Sequence, residues 1–280
     1  MRFKVSSFLS YEVYTTTTFI FNIQVAGLPT QLIISETLTI TPEIKYEEFV
    51  LQNSATRFIK MEVEKGTVFS ISYQAEVDVL HELIPDKKLS QSIAVINLDN
   101  KVLPFISPSR YCESDKLLDF AHQHFGHLPN EYTKIKAVNE WIFNHVAYKP
   151  GTSDSSRSAC DVLELKEGVC KDFAHLAIAL CRALDIPARY FTGYAYALDP
   201  PDFHACFEAY AGGKWLFFDP TQLSIPNALV KIADAKDASE VAVASFFGEV
   251  NCTFMNIECH PVATDFIPFD KEKKEAVSYG

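Results

Sequence analysis

No run of apolar residues in this 280-residue sequence approaches the ~20 needed to span a bilayer as a helix. No basic amphipathic stretch offers a membrane-binding face either. The N-terminal segment MRFKVSSFLSYEVY lacks the apolar centre of a secretory signal. Positive charge is also short: 25 Lys and Arg against 36 Asp and Glu leave a net charge of −11. That argues against a nucleic-acid partner, which requires a positive surface. The seven cysteines, Cys112, Cys160, Cys170, Cys181, Cys206, Cys252 and Cys259, are odd in number and include no CxxC pair. Without an export signal they are expected to be reduced thiols in a cytoplasmic protein. Internal repeats and low-complexity segments are absent.

What is present is an ordinary globular composition, 48% hydrophobic and 22% charged, in a chain long enough for a real core and about one to three domains. Residues 1 to 84 read as strands. Apolar positions alternate at Phe19, Phe21 and Ile23, at Leu38 and Ile40, and from Phe69 through Ile71, Tyr73 and Ala75 to Val77, with turns at AGLPT and EKGT. This predicts an antiparallel β-sandwich of roughly seven strands. A connector, Ile84–Tyr111, carries Pro85, Pro104 and Pro108. Beyond it the period becomes helical: SDKLLDFAHQHFG with Ser114 as N-cap and Gly126 as stop, EYTKIKAVNEWIFNHV, and a short helix at Ala159–Leu165. The predicted division is a β domain over 1–104, free of catalytic groups, and a second domain over 105–280.

Chemistry concentrates in GVCKDFAHLAIALCRALDIPAR, Gly168–Arg189. Phe173, Leu176, Ala177, Leu180 and Leu184 follow helical spacing between Gly168 and Pro187. Cys170 therefore falls at the helix N-terminus, where free N–H groups and the dipole favour a thiolate. Lys171 adds a neighbouring positive charge, and Asp172 is expected to serve the first turn structurally. Cys181, in mid-helix, reads as core. Position alone leaves Cys170 open between a nucleophile and a buried structural thiol; a nucleophile needs a base and an orienting group.

FHACFEAYAGGKWLFFDPT, Phe203–Thr221, supplies candidates. It reads as a hairpin turning at AGGK. In an antiparallel hairpin with an even loop, paired positions sum to an odd number. His204 and Asp219 satisfy this and share a face, opposed or diagonal. Asp219 could then fix the His204 tautomer and leave the other ring nitrogen for the thiol. Taken singly, His204 could equally be an inert strand histidine and Asp219 the start of a DPT turn.

Together with SPSRYCESDKLLDFA, these blocks resemble the transglutaminase-like superfamily, most closely its bacterial members labelled as cysteine proteases. The resemblance implies an α+β fold: an N-terminal β-sandwich followed by a papain-like core with a helix-borne cysteine packed on an antiparallel sheet. It implies Cys170 as nucleophile, His204 as base and Asp219 as orienting acid, with no cofactor and no metal. Lys171 departs from the family, where a neutral polar residue is common. Relatives use an aromatic side chain at the oxyanion, for which Trp141 and Tyr148 are candidates beside the Cys170 N–H. The expected activity is acyl transfer on a peptide or protein substrate through a thioester, resolved by water (peptidase or amidase) or by an amine (transglutaminase). Two rivals stay open: a non-catalytic binding module, and a zinc site on Cys170, His204, Cys206 and Asp219, whose spacing matches no closed four-ligand pattern.

Overall fold

The computed structural model describes residues 1–280 except 52–53, 264–265 and 271. The first third of the chain forms strands β1 (Arg2–Val13), β2 (Thr17–Phe21), β3 (Gln31–Thr41), β4 (Tyr46–Val50), β5 (Arg57–Val63), β6 (Val68–Val79) and β7 (Glu82–Pro85). Short 3-10 turns occupy the proline-marked connector. The middle contributes α1 (Leu118–Phe125), α2 (Glu131–His145), β8 (Ala147–Tyr148), α3 (Ala159–Leu165), β9 (Glu167–Gly168) and α4 (Cys170–Arg182). The remaining strands are β10 (Ala188–Ala195), β11 (Phe203–Ala211), β12 (Lys214–Phe218), β13 (Leu229–Ala235), β14 (Ala244–Phe247), β15 (Val250–Pro261) and β16 (Glu275–Ser278).

Two four-stranded sheets, β15-β1-β6-β3 and β14-β2-β5-β4, form the sandwich. The strand alternation read from sequence is the buried face: Phe19, Phe21, Phe69, Ile71, Tyr73 and Val77 are each at most 2% exposed. Aromatic rings lock the sheets together. Tyr11 of β1 meets Phe19 and Phe21 of β2 at 5.4 and 5.7 Å, and Phe19 meets Phe69 of β6 edge-on at 5.1 Å.

The core is a six-stranded sheet, β13-β10-β11-β12-β16-β7, with α4 packed on β10 and β11. Every α4 residue from Asp172 to Arg182 is buried, so this helix runs through the core with little contact with water. Asn130 caps α2 by accepting the Thr133 N–H at 2.9 Å, and the Asp161 carboxylate caps α3 through the Ser158 N–H at 2.8 Å. Ser114 opens a 3-10 turn rather than capping α1, which begins four residues past it, after Leu117. A buried charge cluster ties the sheet together: Glu208 of β11 receives Arg189 of β10 at 2.6 Å and Lys231 of β13 at 2.9 Å on each carboxylate oxygen. All three charges are largely removed from water, and each has a partner.

The strand pairings do not follow a division at residue 104. β7, from the predicted β domain, extends the core sheet through β16. β14 and β15, from the predicted second domain, return to the sandwich, where β15 pairs with β1 from Phe3↔Pro261 to Val13↔Val250. The reason is non-local: β1 and β2 each have an open edge that no strand of the first 104 residues fills, and local periodicity carries no record of which distant strand will fill it. Because both exchanges cross the break, fragments 1–104 and 105–280 expressed separately are expected to lack cooperative unfolding. The full chain should unfold in one urea transition; two separable transitions, or a folded isolated fragment, would contradict the interlock.

Candidate active site

α4 begins at Cys170 because the residues before it build a cap. The Asp172 carboxylate, fully buried, reaches back to accept the Val169 N–H at 2.9 Å and the Ser153 hydroxyl at 2.9 Å. It crosses directly over Gly168, where an added Cβ would lie 2.7 Å from the Asp172 Cβ and Oδ2. Gly168 is therefore demanded by close approach. Cys170, the first helical residue, has an N–H with no acceptor within the helix, and its side chain is half-buried. The Lys171 ammonium is directed to the Asp154 carbonyl at 2.5 Å and the Asp172 carboxylate at 3.6 Å, so its charge is engaged there.

β11 and β12 meet through Gly212 and Gly213, both left-handed at φ +59° and +80°, as a two-residue turn of the primed kind requires. The ladder runs from Ala211↔Lys214 to Phe207↔Phe218. Extending it by one residue sets Asp219 across from Cys206 and diagonal to His204. The diagonal contact closes: His204 Nε2 and Asp219 Oδ2 are 2.8 Å apart. Both residues are buried, at 1% and 7% exposure.

Asp219 is saturated with donors. Oδ1 accepts the Thr221 N–H at 2.9 Å and hydroxyl at 2.6 Å; Oδ2 accepts the Ser224 N–H at 2.9 Å and hydroxyl at 2.7 Å in addition to His204. Burial opposes its ionisation, but the His204 charge and these hydrogen bonds outweigh burial and hold its pKa below the ordinary carboxylate range. For His204 burial again opposes the charged form. The Cys206 sulfur, the Asp219 carboxylate and the nearby Cys170 side chain prevail, and the imidazole pKa is raised well above its usual value. Cys206 is fully buried, and burial followed by the Asp219 charge pushes its thiol up to about 12, so it stays protonated at neutral pH.

Tyr148 stands at this site. Burial and then the Cys170 charge push its phenol up to about 12, and its ring lies 5.9 Å from Phe173 of α4. Trp141 is occupied elsewhere, stacked on His145 at 4.5 Å with the Lys166 ammonium 4.4 Å over its face. His175, a turn and a half into α4, takes no part. It is buried between the Tyr111 and Tyr190 rings, and burial drives its pKa down to about 3.

This arrangement coincides with a family pattern: residues 119–220 match the transglutaminase-like superfamily core, and residues 1–101 match the bacterial transglutaminase N-terminal domain. A solved structure from Cytophaga hutchinsonii, described as a "putative cysteine protease", is 47% identical, covers all of this chain and 98% of its own, and superposes with a TM-score of 0.97. The chain belongs to the transglutaminase-like superfamily. An uncharacterised Mycobacterium leprae protein is 29% identical over 160 residues, and an uncharacterised Mycobacterium tuberculosis protein is 45% identical over 60. The chain spans 56% and 19% of the lengths of those two relatives.

Just past the matched core, sequence reasoning missed the residues that hold Asp219. Thr221 and Ser224 are legible in hindsight as the DPTQLS run, in which an Asp accepts from the backbone two residues on. Two outcomes follow from the site's construction. Gly168→Ala is expected to lower stability by about 1–3 kcal/mol, read as a shift in the denaturation midpoint, because Asp172 cannot keep its cap. The second concerns pH. The raised His204 pKa stabilises the fold below the unfolded value of 6.5, and this is lost as pH climbs through the folded pKa. The depressed Asp219 pKa stabilises above the unfolded 3.8, and this is lost as pH falls through the folded pKa. The Tm difference between wild type and Asp219→Asn should therefore be widest between about pH 4 and 6.5. A difference flat across pH 2 to 9 would contradict the pairing.

Proposed function

We propose that the protein is a cysteine acyl-transfer enzyme acting on peptide or amide bonds, and that hydrolysis is its reaction. The observation that carries the reading is the buried His204–Asp219 hydrogen bond, beside which the first residue of α4 supplies a thiol. Asp219, held ionised by its donors, keeps a proton on His204 Nε2, which leaves Nδ1 to exchange a proton with Cys170. The Cys170 sulfur attacks the substrate carbonyl carbon. The carbonyl electron pair moves onto oxygen, where the Cys170 N–H at the helix start is placed to receive it. Tyr148 is the better aromatic candidate for a second donor, since it stands at the site and Trp141 does not. The tetrahedral adduct collapses to a thioester as His204 delivers the proton to the departing amine. Water, deprotonated by His204, then attacks the thioester and releases the acid and the thiol.

Hydrolysis is preferred over amine transfer on family resemblance, including the description given to the Cytophaga hutchinsonii relative. A peptide or protein substrate in the cytoplasm, where the thiols remain reduced, belongs to the same reading.

The test is turnover of a peptide library with and without an added primary amine. Release of free carboxylate that persists at high amine supports hydrolysis; quantitative capture of the acyl group by the amine would make the enzyme a transglutaminase. Asp219→Ala is expected to lower kcat by roughly 10²–10⁴ with the fold retained, the range for loss of an oriented acid–base group. Limiting iodoacetamide followed by peptide mapping should label Cys170 first among the seven thiols. A native protein in which Cys170 stays unlabelled and no peptide turns over would instead support a binding module.

A further inference from the structure

The acyl-transfer chemistry leaves one side chain of the site without a task. Cys206 is two residues along β11 from His204, fully buried, and next to the catalytic imidazole. Its sulfur, one His204 ring nitrogen and one Asp219 oxygen all lie within 4.8 Å of one another. Cys170 is not one of these three donors, but it is half-buried at the start of α4 and acts on the same imidazole, so it offers a second sulfur.

We propose that this site also takes a single thiophilic divalent cation, with Zn²⁺ as its representative, on Cys206, His204 and Cys170 with Asp219 alongside, and that occupancy switches the acyl-transfer reaction off. The donor set selects the class of ion. Two sulfurs and an imidazole suit zinc, whereas calcium and magnesium call for several oxygen ligands. The carboxylate of the cluster, Asp219, has both oxygens already engaged by Thr221 and Ser224. Its bond to His204 fits the other role carboxylates play at metals, orienting a ligating histidine from behind. Zinc–sulfur and zinc–nitrogen bonds of about 2.3 and 2.0 Å hold a sulfur and a nitrogen donor no more than about 4.3 Å apart, close to the 4.8 Å within which the Cys206 sulfur and the His204 nitrogen already lie, and Cys170 turns its side chain to join them. Coordination displaces the thiol protons to solvent and removes the Cys170 sulfur and the imidazole from catalysis together. Inhibition rests on the catalytic reading above; cation binding does not.

The experiment is equilibrium dialysis of the chelator-treated full chain against zinc chloride, with metal content measured directly. A Co²⁺ titration, in which thiolate ligands give a near-ultraviolet charge-transfer band, runs in parallel. About one equivalent per chain is expected. Cys206→Ser and Cys206→Ala should each weaken binding at least about tenfold and diminish the cobalt band, while Cys252→Ser, which removes an exposed thiol, changes neither. Thermal unfolding of each variant identifies loss of fold as a separate cause, and in that case His204→Gln carries the comparison. Less than about 0.1 equivalent bound, or equal weakening by Cys252→Ser, overturns the site. An active enzyme that binds no zinc overturns this proposal alone. A protein that binds zinc through Cys206 but is inactive when metal-free overturns the catalytic reading alone. Binding that leaves turnover unchanged overturns the switch.

Discussion

The hydrogen bond between Asp219 and His204 is the constraint around which the core is arranged. A buried carboxylate stays ionised only where donors replace water, and here the Thr221 and Ser224 amides and hydroxyls do so together with the imidazole. Those donors come from the segment immediately after β12, so the strand must end where it does. The imidazole in turn is fixed by the register of β11 against β12, and that register is set by two glycines in left-handed conformation. The thiol is fixed independently, by the cap that Asp172 makes across Gly168. Two rigid pieces of backbone thus meet at one ring.

Much of this could be read in the sequence because it is local. Helix spacing places Cys170 at a helix start, and the parity of a hairpin with an even loop places His204 and Asp219 on one side. Both follow from residues within a span of about twenty. The observed pairing is the diagonal one of the two geometries parity allows, and the loop is the two-residue form. What could not be read is set by distant contacts. Nothing near Lys171 announces that its ammonium turns to Asp154, and nothing near Trp141 announces its stack with His145 and Lys166. The same limit explains the strand exchange: β15 carries alternation that fits a strand, but its partner β1 lies at the other end of the chain.

The Glu208, Arg189 and Lys231 cluster shows how the sheet can be both charged and buried. A lone charge there would be severely unfavourable, while a pair with complementary hydrogen bonds is tolerated and fixes which strands lie side by side. Arg189 also lies 4.3 Å over the Trp215 ring, so β10 is joined to β12 across β11 as well. The hairpin bearing His204 and Asp219 is thereby braced at its far end, away from those two side chains.

The return of β14 and β15 to the sandwich has a consequence for how the chain is made. Translation delivers β1 first and β15 some 240 residues later, so the emerging β1 edge waits, unpaired, while the whole helical region leaves the ribosome. A long open edge is a template for wrong pairing. The nascent N-terminal strands therefore have to remain loosely associated, or be shielded, until the last quarter of the chain arrives. Completion of the molecule is then a late and collective event rather than the addition of one finished domain to another.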